Sequence, residues 1–204
     1  MGHKFAEVAF TPSVKNVQEH LGSRRSYARM EAGEVRNHVL GPREAGFIGE
    51  RDSFYMASVS ETGWPYIQHR GGPKGFVRVL DEKTVGFADY RGNRQYISVG
   101  NLMANDRVAL FFMDYPNRTR LKLLGRAKLI DASDSTALER LDVPGYRAHI
   151  ERAFLISVEA FDWNCPQHIT PRYTLAEVEQ ATASLRQRIA ELETELARLG
   201  AKNS

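Results

Sequence analysis

A single cysteine, Cys165, stands among the 204 residues. No disulfide can form within the chain, and a reducing, cytoplasmic setting is expected. No apolar run approaches the length of a membrane span, and the first residues lack the hydrophobic stretch of a secretion signal. Ala6 sits where a myristoylation motif carries Ser or Thr. Dense basic blocks are also missing: 28 Lys and Arg against 25 Asp and Glu are spread along the chain, which leaves no nucleic-acid footprint. The nearest approach, Arg24-Arg25 with Arg29, reads as a solvated helix face. The signatures H-E-x-x-H, G-x-S-x-G and G-x-x-x-x-G-K-[ST] do not occur. Cys165-Pro166-Gln167-His168 has the spacing of half a zinc site, with no second Cys/His pair to complete it, so no metal is expected. Gly71-Gly72-Pro73-Lys74-Gly75 has the composition of a phosphate loop but leads into a strand-like segment.

What is present changes period twice. Thr11-Pro12 is a helix start, with Thr as N-cap and Pro at the first helical position. Val14, Val17 and Leu21 follow at helical spacing, and Gly22 ends the segment. Pro42 opens a second short helix that carries Ala45, Phe47 and Ile48 inward. Strands are then expected at 53–60, 66–70, 76–80, 85–89, 107–114, 120–131 and 153–161, with Gly125 as a bulge in the sixth. A helix through Ile97, Val99, Leu102 and Met103 lies between the fourth and fifth strands, and a short helix at 135–141 precedes the last. Short strands joined by tight turns indicate an antiparallel arrangement, and seven of them suggest closure into a barrel, which removes exposed edges. The expected fold is mainly β with flanking helices (α+β).

The tail obeys another rule. Leu175, Val178, Thr182, Leu185, Ile189, Leu192, Leu196 and Leu199 recur at alternating steps of three and four, with Arg186, Arg188, Glu193 and Glu195 beside them. This is a heptad seam, and its narrowness favours pairing with the same helix of a second subunit. The direction of pairing stays open at this point. The chain therefore divides into an N-terminal helical segment (1–41), a β domain (42–172) and an amphipathic helix (173–204).

Two polar pieces stand out within the β domain. In the strand Tyr66-Ile67-Gln68-His69-Arg70, alternation places Tyr66, Gln68 and Arg70 on one face. That face is either an ordinary polar hairpin surface or, if buried, a strip needing acceptors such as a phosphate or a carbonyl-rich ring. In Asp89-Tyr90-Arg91-Gly92-Asn93-Arg94-Gln95, Asn93 is the expected N-cap of the following helix. It would set Arg94, Gln95 and free backbone N–H groups at a helix N-terminus, where an anion is favoured.

Taken in order, Pro65-Tyr66-x-Gln68-His69-Arg70, Arg91-Gly92-Asn93-Arg94-Gln95, Asn105-Asp106-Arg107-Val108 and Leu123-Leu124-Gly125-Arg126-Ala127 resemble the pyridoxamine 5′-phosphate oxidase-related FMN-binding split barrels over roughly residues 42–172. The resemblance implies an antiparallel split β-barrel, FMN as cofactor, and a homodimer with flavin sites at the subunit interface. Where this chain has Gly92-Asn93-Arg94-Gln95, the family usually has G-S-R-K, whose basic residues hold the FMN phosphate; Arg94 matches and Gln95 departs. The cofactor strand corresponds to Tyr66–Arg70, so Gln68, His69 and Arg70 are candidate FMN contacts, joined by Asp89, Tyr90, Asn93 and, from a strand crossing the same sheet, Arg120. Trp163, Gln167, His168 and Arg172 lie where the oxidase carries C-terminal elements that reach a flavin held mainly by the other subunit. The pattern that grips pyridoxal phosphate is not reproduced, so a different small-molecule substrate is implied. A bound flavin would supply the redox chemistry without a protein acid or nucleophile. A non-catalytic flavin or haem binder on the same barrel, used for sensing, and a plain oligomerisation module are the rival classes.

Overall fold

The computed structural model describes residues 2–163 and 166–202 and separates into two compact units: one of residues 1–114 with 119–166, the other of 115–118 with 167–204. The first begins with three short helices, α1 (Lys4–Ala9), α2 (Pro12–His20) and α3 (Arg24–Glu31), followed by α4 (Pro42–Gly49). Thr11 caps α2 by accepting from the Val14 amide, and Gly22 ends it at a φ of 76°, as their residue types require. The arginines of α3 are less free than composition suggests, because Arg24 pairs with Glu31 and bonds Gln18.

The strands are β1 (Ser53–Val59), β2 (Pro65–Gly71), β3 (Val77–Asp81), β4 (Thr84–Tyr90), β5 (Arg107–Asp114), β6 (Thr119–Asp131) and β7 (Ile150–Trp163). They form one antiparallel sheet in the order β2-β1-β5-β6-β7-β4-β3. This is the expected α+β fold with a split barrel. The ladder leaves β2 and β3 as edges, and the closure that strand count alone suggested is made by side chains. Phe54 of β1 meets Phe87 of β4 with ring centroids 5.1 Å apart, and Phe76 and Phe112 stack on Phe54. Phe87 in turn stacks on Phe154 of β7 at 4.8 Å. Five fully buried phenylalanines thus join the two ends of the sheet through its interior.

Gly125 marks the bulge anticipated on β6. The register with β7 shifts between Leu124 and Gly125, and a Cβ there would come within 2.5 Å of the Ser157 carbonyl oxygen. β7 starts three residues before its expected Ala153, because Arg152 and Ile150 already pair with Asp89 and Tyr90 of β4, with a register shift at Glu151 between them. α5 (Ile97–Ala104) connects β4 to β5, and α6 (Ser135–Glu139) connects β6 to β7.

The second unit is dominated by α7 (Leu175–Lys202), a helix of 28 residues. Thr174 caps it: its hydroxyl accepts from the Glu177 amide, while the Glu177 carboxylate accepts from the Thr174 amide and hydroxyl, a capping box. Among the described residues, no helix is long and apolar enough to cross a membrane.

Candidate functional site

At one mouth of the barrel, β2, β4, β7 and the start of α5 border an open cleft, lined by Gln68, Arg70, Asp89, Tyr90, Asn93 and Arg94 together with Gly92, Tyr96, Ser98, Val99 and Glu151. The alternation read from β2 is what builds it. Gln68 and Arg70 face inward, while Ile67 and His69 are exposed on the other side.

Arg70 reaches from the edge strand across to β4, where Nη1 donates to Asp89 Oδ1 at 2.5 Å, with side-chain exposures of 13% and 8%. Its guanidinium lies 5.0 Å from the Phe154 ring centre. Burial pulls the Arg70 pKa down and pushes that of Asp89 up, in each case outweighing the attraction of the partner. The pair is therefore held in place by the fold at an electrostatic cost. Arg152 adds a second cation 3.8 Å from Asp89.

Glu151 anchors the opposite wall. It accepts from Arg91 Nε and from the Tyr96 hydroxyl, both at 3.1 Å, and pairs with Arg152 at 3.2 Å. Partial burial raises its pKa, but those donors together more than reverse this and hold it below the ordinary glutamate value. Arg94 Nε donates to the Tyr96 hydroxyl at 3.2 Å, which leaves the rest of an exposed guanidinium at the rim.

The helix start departs from expectation. Asn93 does not cap α5: its side chain accepts from the Gln95 amide in a local turn, and the N-cap is Tyr96, in the left-handed region with no side-chain cap. Arg94 and Tyr96 both have positive φ, 60° and 55°, and the helix starts three residues later than expected. No side chain caps the first amides of α5, and uncapped amides at a helix start favour an anion. Ser98 donates to Gln68 Oε1 at 3.0 Å, and Asn101 pins the helix to Ser58 of β1, also at 3.0 Å.

The other predicted residues lie elsewhere. His69 packs edge-on against Tyr55 on the outer face of β2. Gln95 lines a neighbouring groove with Ser60, Thr62 and Met103. Arg120 lies over the Phe111 ring at 5.6 Å, with Nε buried and unbonded. Trp163 is engaged within its own chain: Nε1 donates to the buried Glu44 at 2.8 Å, Phe47 packs edge-on at 4.8 Å and Arg43 lies 4.2 Å over the ring. Gln167, His168 and Arg172 belong to the second unit, where Arg172 lies 4.9 Å over the Tyr115 ring. Cys165 falls outside the described residues, as does Asn164. Sequence reasoning missed Glu151, Arg152, Tyr96 and Ser98. The first two lie at the start of β7, and only the β4–β7 register reveals that Arg152 sits opposite Asp89.

The cleft's donors suit a phosphate-bearing, carbonyl-rich ligand. Arg70 Nε is buried without an acceptor, and among the described residues no group accepts from Gln68 Nε2. The buried Arg70 donor calls for a partner.

No curated protein matches this chain. Among solved structures, it is similar to an FMN-binding protein of Syntrophomonas wolfei (9% identity, 72% of this chain and 97% of that one, TM-score 0.43). It is also similar to a Clostridium acetobutylicum protein related to general stress protein 26 of Bacillus subtilis, described as of the pyridoxinephosphate oxidase family (17%, 67% and 94%, TM-score 0.45). An F420 reductase is a third (18%, 57% and 94%, TM-score 0.42). The sequence profile described as pyridoxamine 5′-phosphate oxidase matches residues 40–163, more than half of the chain and the span from the entry to α4 through the end of β7. With the barrel and its mouth, that match places the chain in the pyridoxamine 5′-phosphate oxidase family.

Proposed function

We propose that the chain is an FMN-binding oxidoreductase that works as a homodimer and acts on a small molecule other than pyridoxamine phosphate. The observation that carries this reading is the meeting, in one cleft, of the buried, unpaired Arg70 Nε and the Gln68 amide with Arg94 and the uncapped start of α5. Arg94 and the first amides of α5 would hold the phosphate. Gln68, fixed through its oxygen by Ser98, presents its amide nitrogen to a ring carbonyl. Arg70, oriented by Asp89, gives the inner wall a positive donor that favours a ligand gaining negative charge. A bound flavin would supply two-electron transfer, for which the chain needs to supply binding, orientation and exclusion of water. The cleft is open on one side, and a second subunit, through the segment containing Gln167 and Arg172, is the proposed cover.

The test begins with the visible spectrum of the purified protein, before and after adding FMN. Arg94→Ala is expected to weaken FMN by about 1.5–3 kcal/mol, the scale of a charged hydrogen bond, and riboflavin far less. Equal losses for both ligands would remove Arg94 from the phosphate site. Mixing Arg94→Ala chains with Gln167→Ala/Arg172→Ala chains should restore one intact site per heterodimer if the site is composite. Reduction of the bound flavin by NADH or NADPH, with turnover, separates an enzyme from a carrier.

A further inference from the structure

α7 presents an exposed apolar stripe. Leu175 is 83% exposed and Leu196 68%, and Val178, Leu185, Ile189, Leu192 and Leu199 are exposed as well. A helix of 28 residues is about 42 Å long at 1.5 Å per residue, and a continuous leucine stripe of that length in water calls for a partner. The spacing is heptad, with Leu175, Thr182, Ile189 and Leu196 at a and Val178, Leu185, Leu192 and Leu199 at d.

We infer that α7 pairs with α7 of a second copy as a parallel, in-register, two-stranded coiled coil. Direction follows from the charges beside the seam. In a parallel pair each g residue faces the e residue five positions on in its partner. Arg188 then meets Glu193 twice, by symmetry, while Ala181 faces Arg186 and no like charges meet. A fully overlapped antiparallel pair would set Leu175 against Leu199. It would also place Arg186 opposite Arg186, Arg188 opposite Arg188 and Glu179 opposite Glu193, all repulsive. Sliding the antiparallel pair by seven residues turns those contacts attractive but leaves Leu175 and Val178 of both helices in water. Exposed ion pairs are too weak to offset that loss of burial. Only the parallel arrangement keeps all eight seam layers, seven of them apolar, and the attractive charges together.

The two-strand number follows from Ile189 at a between Leu185 and Leu192 at d, since a β-branched residue at a with Leu at d favours dimers. Arg188 is free to repartner, because its present contact is an exposed pair with Glu191 at 3.1 Å on the same helix. The capping box at Thr174 starts the helix immediately before the first seam residue. The paired helices would therefore bring both Leu175 ends together. This inference does not depend on the flavin reading.

Cysteine cross-linking of the full chain in a Cys165→Ser background tests it. Leu199→Cys chains should oxidise to a disulfide-linked dimer roughly tenfold faster than Gln187→Cys chains, because only the seam brings Cβ atoms within disulfide reach. Mixing Leu175→Cys and Leu199→Cys chains carrying tags of different mass should give like-with-like dimers. Predominant mixed dimers would overturn the parallel direction, and equal rates at Leu199 and Gln187 would overturn self-pairing. A three-chain mass by light scattering would overturn the two-strand number. Arg188→Glu should slow cross-linking at Leu199 several-fold, and adding Glu193→Arg should restore it; without restoration, the assigned charge pair is wrong.

Discussion

The barrel and α7 use the same kinds of apolar residue to opposite ends. In the barrel, Phe54, Phe87, Phe112 and Phe154 are fully buried within one chain, while on α7 leucines at regular spacing face water. The difference lies in geometry. A curled sheet has an inside that one chain can fill, whereas a lone helix has only a stripe and needs a second surface. The barrel carries its own folding energy, whereas α7 would draw on the pairing inferred for it.

The sharpest way to break that contrast is to damage the barrel interior. Phe87→Ala, which removes the ring joining β1, β4 and β7, is expected to cost about 3–5 kcal/mol in urea unfolding of the barrel. A loss below 1 kcal/mol, well under the aromatic range, would mean that the sheet is not closed through this cluster.

The Arg70–Asp89 pair should behave differently when broken and when replaced. Asp89→Ala leaves Arg70 buried without its anion and should cost about 3–5 kcal/mol. Arg70→Met with Asp89→Leu should be near neutral in stability yet abolish flavin retention, because burial already outweighs attraction for both partners. The pH dependence gives the sign. The folded state raises the Asp89 pKa, so this carboxyl favours folding most below the ordinary Asp value and loses that contribution as pH rises through its folded pKa. Glu151, held low, does the reverse, and its contribution is lost as pH falls through its folded pKa. Asp89→Asn should flatten the first slope and Glu151→Gln the second in denaturation series across pH.

A smaller effect is expected where Trp163 meets Glu44. Trp163→Phe keeps the packing on Phe47 but strands a buried carboxylate oxygen, at about 1–3 kcal/mol, and should leave FMN affinity unchanged. A selective loss of FMN would return Trp163 to the cofactor site. The smallest effect belongs to α7: Leu192→Ala should change barrel unfolding by less than about 0.5 kcal/mol, while weakening cross-linking at Leu199.

How much was legible follows the same division. Strands showed through alternation, and β5 and the bulge at Gly125 could be placed because apolar runs and an isolated glycine are local signals. Gln68 and Arg70 were readable as a shared face because period two is local as well. The Asn93 cap was misplaced because its side chain has two ways to satisfy a nearby amide, a helix cap and a turn, and the turn is the one found. Glu151 was invisible because its role depends on a partner strand sixty residues away, and charged residues at a strand start carry no alternation. The positions of His69 and Trp163 depend on which side of a surface faces inward, which residue type alone does not say.

One feature of the barrel bears on timing. β2 has a backbone ladder on one side only, to β1, yet it supplies Gln68 and Arg70 to the cleft. An edge strand is among the first parts of a sheet to open, and here the Arg70–Asp89 contact across the mouth acts as its latch. Exchange of ligand can then proceed by brief release of this strand while the phenylalanine interior stays closed. Dissociation rates should therefore respond to changes in the Glu61-Thr62-Gly63 turn that leave the melting temperature untouched.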